Sequence, residues 1–277
     1  MQLDPAAVAA GVRLAALATV DSTNREARTR SRAGEQGPLW ITAETQTAGR
    51  GRGDRSWFSP PGNLYASLLM REPAPASRVP ELAFVSALAV RDAIAAATPT
   101  LAPQLALKWP NDVLLGEGKC AGILIEGEHE PSASVSVIIG IGVNCARYPE
   151  NRDALQSREG ESILFPATAL AARGADITPR QLFACLSATM LRRLAQWDHG
   201  RGFDRILSDW LAAARGIGGP IRVRTGNGER TGRFSGVDAS GRLMLGLSSG
   251  QTELISAGDV FPLTEAVAPA TLPRKAE

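Results

Sequence analysis

Residues 105–143 read LALKWPNDVLLGEGKCAGILIEGEHEPSASVSVIIGIGV, and this stretch decides the fold class. Apolar runs of strand length fall at 105–109, 113–115, 119–127 and 135–143. Pro110-Asn111-Asp112 separates the first two, and Gly116-Glu117-Gly118 makes the turn into the third. The last run, VSVIIGIGV, is rich in β-branched side chains, which fit a pleated surface better than a helix. A strand-rich block of this kind makes the core α+β.

Toward the N-terminus, 80–97 carries the apolar period of a long helix that ends before Pro99. Residues 62–71 (GNLYASLLMR) read as a strand led in by a Pro-Gly turn, and 38–45 (PLWITAET) as a buried strand. Between them lies a Gly- and Arg-rich loop, 46–56. Thr23-Asn24-Arg25-Glu26 fits a T-x-x-E capping box, predicting a helix from Thr23 with Gly34 as its stop. Asp4 as cap and Pro5 at the first helical position predict another helix over 4–17. Toward the C-terminus, Thr178-Pro179 opens a helix to Trp197, and 202–215 continues as another. Gly216, Gly218, Gly219 and Pro220 break the pattern, after which 221–261 alternates short apolar strands with Gly-rich turns, as a small barrel does. The division expected is a catalytic unit over 1–216, a small barrel over 217–265 and an Ala/Pro-rich tail over 266–277.

The chain has 277 residues, 44% of them apolar and 21% charged, with a net charge of +2. That is a globular composition, and it argues against a general nucleic-acid binder. The three cysteines at 120, 145 and 185 form no C-x-x-C pair, so reduced thiols are expected rather than a zinc site or a disulfide framework. No secretory leader and no apolar run of membrane-spanning length is legible, and the expected location is the cytoplasm. Edge strands leave the pairing of two copies into a homodimer open.

Five stretches carry chemistry. Gly49-Arg50-Gly51-Arg52-Gly53-Asp54-Arg55-Ser56-Trp57 combines free backbone, guanidinium forks and an apolar plane, which suits a lid over a small polyanion. A solvated basic loop is the plainer alternative. Lys108-Trp109-Pro110-Asn111-Asp112 emerges at a strand end, where Asp112 could hold Mg²⁺ beside substrate phosphates or simply form an Asn-Asp turn. Gly118-Lys119-Cys120-Ala121-Gly122 places a lysine at the head of an apolar strand. Its ammonium must stay solvated or meet an anion. Ile139-Gly140-Ile141-Gly142-Val143-Asn144 has glycines inside a strand, a mark of close approach by a ligand or by another backbone. Asp21-Ser22-Thr23-Asn24 offers polar groups to a neutral head group, or only caps a helix. There is no Walker A loop, no G-x-G-x-x-G and no H-E-x-x-H.

Taken in order, D-S-T-N, E-T-Q-T-A-G-R-G-R, W-F-S-P-P-G-N-L-Y, K-W-P-N-D, G-K-C-A-G-I-L-I-E and I-G-I-G-V-N resemble the biotin–protein ligase family from about residue 19 to 146. The terminal strands resemble that family's SH3-like domain. The resemblance implies a class II synthetase-like mixed-sheet catalytic domain followed by a small barrel. It also implies an ATP- and Mg²⁺-dependent activity that makes biotinyl-5'-AMP and passes biotin to a lysine of a biotin carboxyl carrier domain. Ser22, Thr23, Asn24, Gln46, Arg50, Lys119, Gly122, Gly140 and Gly142 would contact biotin. Arg52, Trp57, Lys108, Asn111, Asp112, Lys119 and Asn144 would face ATP, with Lys119, Arg52 and Asp112 closest to the chemistry and Asp112 the metal ligand. Gly53 and Asp54 depart from the family's usual G-R-G-R-x-G-R-x-W while keeping the spacing from Arg52 to Trp57. The sequence ahead of residue 21 has no room for the DNA-reading element of the family's repressor members. The runner-up readings are a lipoate–protein ligase and a biotin sensor without catalysis.

Overall fold

The apolar runs at the centre of the chain become the middle of a seven-stranded sheet. In this computed structural model, which describes residues 1–53, 55–129, 135–149 and 165–263, β6 (Gly118–His129) and β7 (Val135–Val143) pair antiparallel, with Gly122 opposite Gly142 and Leu124 opposite Gly140. The strands β1 (Arg13–Val20), β2 (Leu39–Gln46), β3 (Leu64–Arg71), β4 (Leu105–Lys108) and β5 (Asp112–Leu115) complete the order β1-β2-β3-β7-β6-β5-β4. Only β1–β2 is parallel, so the sheet is mixed.

Strand alternation sends the side chains of β3 and β7 to two different environments. Leu64, Ala66, Leu68, Ile139, Ile141 and Val143 join the main core, beneath the helices α3 (Leu82–Ala97), α4 (Pro179–Trp197) and α5 (Phe203–Ala213). Leu69 and Ile138 face the other way, into a small cluster with Ala27, Leu39 and Ile41 under α2 (Thr23–Arg32). Continuing along that second face, the strand parity brings Ser67 and Tyr65 on β3, Gly140 and Gly142 on β7, and Gly122, Leu124 and Glu126 on β6 to one side of the sheet.

The terminal strands β8 (Pro220–Thr225), β9 (Gly228–Val237), β10 (Leu243–Gly246), β11 (Thr252–Ile255) and β12 (Asp259–Pro262) form a wholly antiparallel sheet in the order β11-β10-β9-β8-β12. This is the small SH3-like unit. Its Ile221, Val223, Phe234, Leu243 and Leu245 are continuous with the main core. The indole N–H of Trp109 donates to the carbonyl of Gly241 at 3.1 Å and ties the two sheets together.

Most expected elements are present, including the capping box of α4, in which Thr178 and Gln181 exchange hydrogen bonds. Two expectations fail. The helix over 4–17 is only α1 (Pro5–Ala9); Gly11, at φ +77°, ends it, and Arg13–Val20 instead pairs with β2 as an edge strand. Parallel pairing overrides the helical propensity of its Leu and Ala residues. The cap of α2 is Ser22 rather than Thr23, because the Thr23 hydroxyl is turned onto Gln46. Asp54 and the tail over 266–277 lie outside the described residues.

Candidate active site

Part of the second sheet face is floored with glycine. A β-carbon on Gly140 would come 2.2 Å from Asn24 Oδ1, and one on Gly142 would come 2.5 Å from the indole nitrogen of Trp57. On Gly122 it would lie 3.0 Å from the Trp57 ring and 3.3 Å from Lys119 Nζ. These three positions therefore allow side chains from elsewhere to lie directly on backbone.

Beside the glycines runs a chain of buried polar groups. Gln46 Oε1 accepts from the Thr23 backbone N–H at 2.9 Å and from the Thr23 hydroxyl at 3.1 Å. The Ser67 hydroxyl lies 2.8 Å from Thr23 Oγ1 and 2.6 Å from Asn24 Oδ1. Gln46 Nε2 donates to Ser59 Oγ at 2.9 Å, and that hydroxyl donates to the Trp57 carbonyl. The other end of the chain is Glu126, which accepts from Asn24 Nδ2 at 2.6 Å and from Arg50 Nη2 at 2.9 Å.

The Gly/Arg segment is a narrow hairpin. Trp57 N–H donates to the Gly49 carbonyl, Gly51 N–H donates to that of Arg55, and Arg50 bridges Ser56. Gly49 has no room for a side chain, since a β-carbon would meet Ser59 Oγ at 2.4 Å and the Trp57 carbonyl at 2.6 Å. The tip turns at Gly53, φ +59°. Arg52 spans the gap between the two sheets, donating to Asn111 Oδ1 and to the Gly258 carbonyl, each at 3.2 Å. Burial pushes its pKa down, while Asp259 and Asp112 oppose the shift. Arg55 pairs with Asp259 at 3.1 Å.

The third component is a charge cluster at the head of β6. Cys120 is an extra residue where β6 pairs with β5, because Leu114 faces Lys119 and Val113 faces Ala121. This bulge changes the strand's parity, and Lys119 Nζ comes to lie over Gly122 and 5.4 Å from the Trp57 ring centre. Asp112 holds Lys119 Nζ at 2.5 Å on one carboxylate oxygen and Lys108 Nζ at 3.3 Å on the other. Burial alone would raise the Asp112 pKa, but Lys119 and then Lys108 hold it down at about 2. Burial pushes the Lys108 ammonium down, against Asp112. With an ammonium on each oxygen, Asp112 does not fit as a direct Mg²⁺ ligand. Among the described residues no group of three His, Cys, Asp or Glu could hold a metal.

The expected residues therefore fall into one connected region, with two qualifications. Asn144 is 4% exposed and its amide donates to the Thr168 carbonyl at 3.0 Å, so it anchors the 168–170 segment. Ser22, also buried, sits at the start of α2 beside Thr23. Sequence reasoning missed Ser59, Ser67, Glu126, Gly258 and Asp259. Ser67 and Glu126 were findable as polar residues within apolar strand runs, on the face shared with Gly140 and Gly122. The contact from 52 to 258 left no local signal. The three cysteines are free, and burial pushes the Cys120 and Cys145 thiols up to about 12.

A glycine-floored sheet face, a polar chain at one end and paired lysines at the other can hold a small acid against an anionic partner. Residues 16–144 match the Biotin/lipoate A/B protein ligase family, and residues 216–261 match the Biotin protein ligase C terminal domain. The chain is 40% identical over 245 residues to the biotin–[acetyl-CoA-carboxylase] ligase of Paracoccus denitrificans, covering 88% of this chain and 98% of that one. It is 34% identical over 219 residues to the bifunctional ligase/repressor BirA of Bacillus subtilis, covering 78% of this chain and 64% of that protein. The structure of the Aquifex aeolicus biotin protein ligase in complex with biotin and ATP superposes with a TM-score of 0.72 at 25% identity, over 91% of this chain and 98% of that one. The chain belongs to the biotin protein ligase family.

Proposed function

We propose that this protein activates biotin with ATP and transfers it to a lysine of a biotin carboxyl carrier domain in a biotin-dependent carboxylase. In the first step a biotin carboxylate oxygen attacks the α-phosphorus of ATP, the bond to pyrophosphate breaks, and biotinyl-5'-AMP forms. In the second, the acceptor amine attacks the acyl carbon, AMP leaves, and the nitrogen loses a proton. The observation that carries the reading is the Lys119 ammonium poised over the bare backbone of Gly122, with Asp112 holding it and Trp57 beside it. Two anions must meet in the first step, and fixed cations there lower its barrier.

On this reading the head group of biotin lies against Ser22, Thr23, Asn24 and Gln46 and its carboxylate approaches Arg50 and Lys119, while Gly122, Gly140 and Gly142 contribute by letting Asn24, Trp57 and Lys119 lie directly on the sheet. Arg52, Trp57, Lys108, Asn111 and Asp112 face the nucleotide. Asn144 supports that side through its bond to Thr168. Mg²⁺ enters with the phosphates of ATP, its usual partners, and not on Asp112. Residues 1–216 form the catalytic unit, and the 217–265 unit contributes by holding Arg52 and Arg55. With a net charge of +2, the proposed partners are biotin, ATP and the carrier domain, not nucleic acid. Among the described residues no helix is long and apolar enough to cross a membrane; we place the reaction in the cytoplasm.

The test is exchange of labelled pyrophosphate into ATP. Exchange that depends on biotin supports the proposal. Exchange that depends on lipoate and not biotin, or on neither, overturns it.

A further inference from the structure

Glu126 lies on the glycine-floored face of β6, two positions beyond Leu124 and four beyond Gly122. Three donors converge on it, two from α2 and one from the hairpin. Arg28 of α2 donates through Nη2 at 2.7 Å, Arg50 of the hairpin through Nη2 at 2.9 Å, and Asn24 through Nδ2 at 2.6 Å. The side chain of Glu126 is 16% exposed. Asn24 is buried, and its amide fills the space above Gly140.

An ionised carboxylate can only accept hydrogen bonds. Glu126 therefore fixes which way the Asn24 amide points, with Nδ2 toward Glu126 and Oδ1 toward Ser67. The Ser67 hydroxyl has one proton, and the shorter contact, 2.6 Å, is to that Oδ1. Gln46 is oriented separately: its Oε1 accepts from the Thr23 backbone N–H at 2.9 Å, which leaves its Nε2 to face Ser59. The roles of the Asn24 amide and of the Ser67 hydroxyl as donors and acceptors therefore follow from Glu126. The same carboxylate holds the Arg50 guanidinium at the mouth of the hairpin.

We infer that Glu126 is a positioning residue for biotin recognition: it sets the donor and acceptor polarity of the Asn24–Ser67 pair and the placement of Arg50. The inference rests on the ligase reading. Glu126 touches no reacting atom, so its loss weakens binding of the acid substrate and spares the chemical step. An amide at position 126 accepts through one atom and donates through the other, which lets the Asn24 amide turn over and breaks the order of the pair.

The experiment compares wild type, Glu126→Gln, Glu126→Asp and Arg28→Ala, using calorimetric titration with biotin, steady-state kinetics and thermal melts. Arg28→Ala removes the ion pair that ties α2 to Glu126 and leaves Asn24 untouched. Glu126→Gln is expected to weaken biotin binding and raise its KM by about tenfold or more, the scale for a hydrogen bond to a charged group. Its kcat and KM for ATP should stay within about threefold, since interactions lost equally from ground and transition states leave kcat alone. Glu126→Asp should recover part of the affinity, and Arg28→Ala should bind biotin as wild type does. Wild-type biotin affinity in a folded Glu126→Gln overturns the inference. So does an equal loss in Arg28→Ala, which assigns Glu126 to holding α2, or a parallel fall in kcat and ATP affinity. Wild type that binds no biotin removes the ligase reading itself, and the inference with it.

Discussion

Replacing Asp112 with Asn keeps the side chain's shape and removes the charge that two lysines share. In the native protein one oxygen lies 2.5 Å from Lys119 Nζ and the other 3.3 Å from Lys108 Nζ. Asp112 and Lys108 have side chains only 12% and 15% exposed, so water does little to replace the lost counter-ion. Two independent routes give a magnitude. Removing one partner of a buried ion pair costs about 3–5 kcal/mol. A carboxylate pKa lowered from 3.8 to about 2 corresponds to about 2.4 kcal/mol at 1.36 kcal/mol per unit. The expected loss near neutral pH is therefore roughly 3 kcal/mol, read from urea unfolding of the two proteins.

The pH dependence has a definite sign. A carboxylate depressed in the folded state stabilises above its unfolded pKa, and that contribution is lost as pH falls from about 4 through about 2. The deficit of Asp112→Asn should shrink over that window. It should also narrow as pH rises above 7. Lys108, now without an anion and already pushed down by burial, would release its proton earlier in the folded than in the unfolded chain, so stability rises with pH there. A deficit below about 1 kcal/mol, the scale of an exposed pair, or one that grows on acidification, would refute the reasoning.

Lys119→Ala should slow biotin-dependent pyrophosphate release by about 10²-fold or more, as loss of a key electrostatic donor does; an unchanged rate contradicts its role. Arg52→Gly breaks the contacts to Asn111 and Gly258 and should leak adenylate, seen as pyrophosphate released in excess of acceptor biotinylated. A ratio that stays at unity in this variant counts against the hairpin as a barrier to water. Gly142→Ala forces a methyl to within 2.5 Å of the Trp57 indole nitrogen. It should raise the KM for biotin, shift the tryptophan fluorescence and cost about 1–3 kcal/mol of stability by overpacking; an unchanged spectrum would mean that the ring does not lie on the glycines.

Much of this was legible in the sequence where the signal is local. The runs at 119–127 and 135–143 carry strand composition over their whole length, and Thr178-Pro179 marks its helix by chemistry that acts within one turn. Arg13–Val20 misled because RLAALATV has helical composition, and its strand form depends on a parallel partner at 39–46. Gly11, two positions beyond the end of α1, was the available warning. The charge cluster was only half legible. Asp112 and Lys119 stood out separately, but their contact needs the bulge at Cys120, which no residue-by-residue pattern announces. Glu126 and Ser67 were hidden by the apolar runs around them; alternate-residue counting from Gly122 would have put Glu126 on the site's face, whereas Ser67 reaches it only through the register of β3 with β7. The bridge from Arg52 to Gly258 joins residues whose proximity only the packing of the two sheets creates.

The most direct measurement is the mass of an apo biotin carboxyl carrier domain after incubation with the protein, biotin, ATP and Mg²⁺. The account predicts one biotin added through an amide bond to a single acceptor lysine, with no addition when ATP is left out. An acceptor of unchanged mass, under conditions where a known ligase modifies it fully, would contradict it.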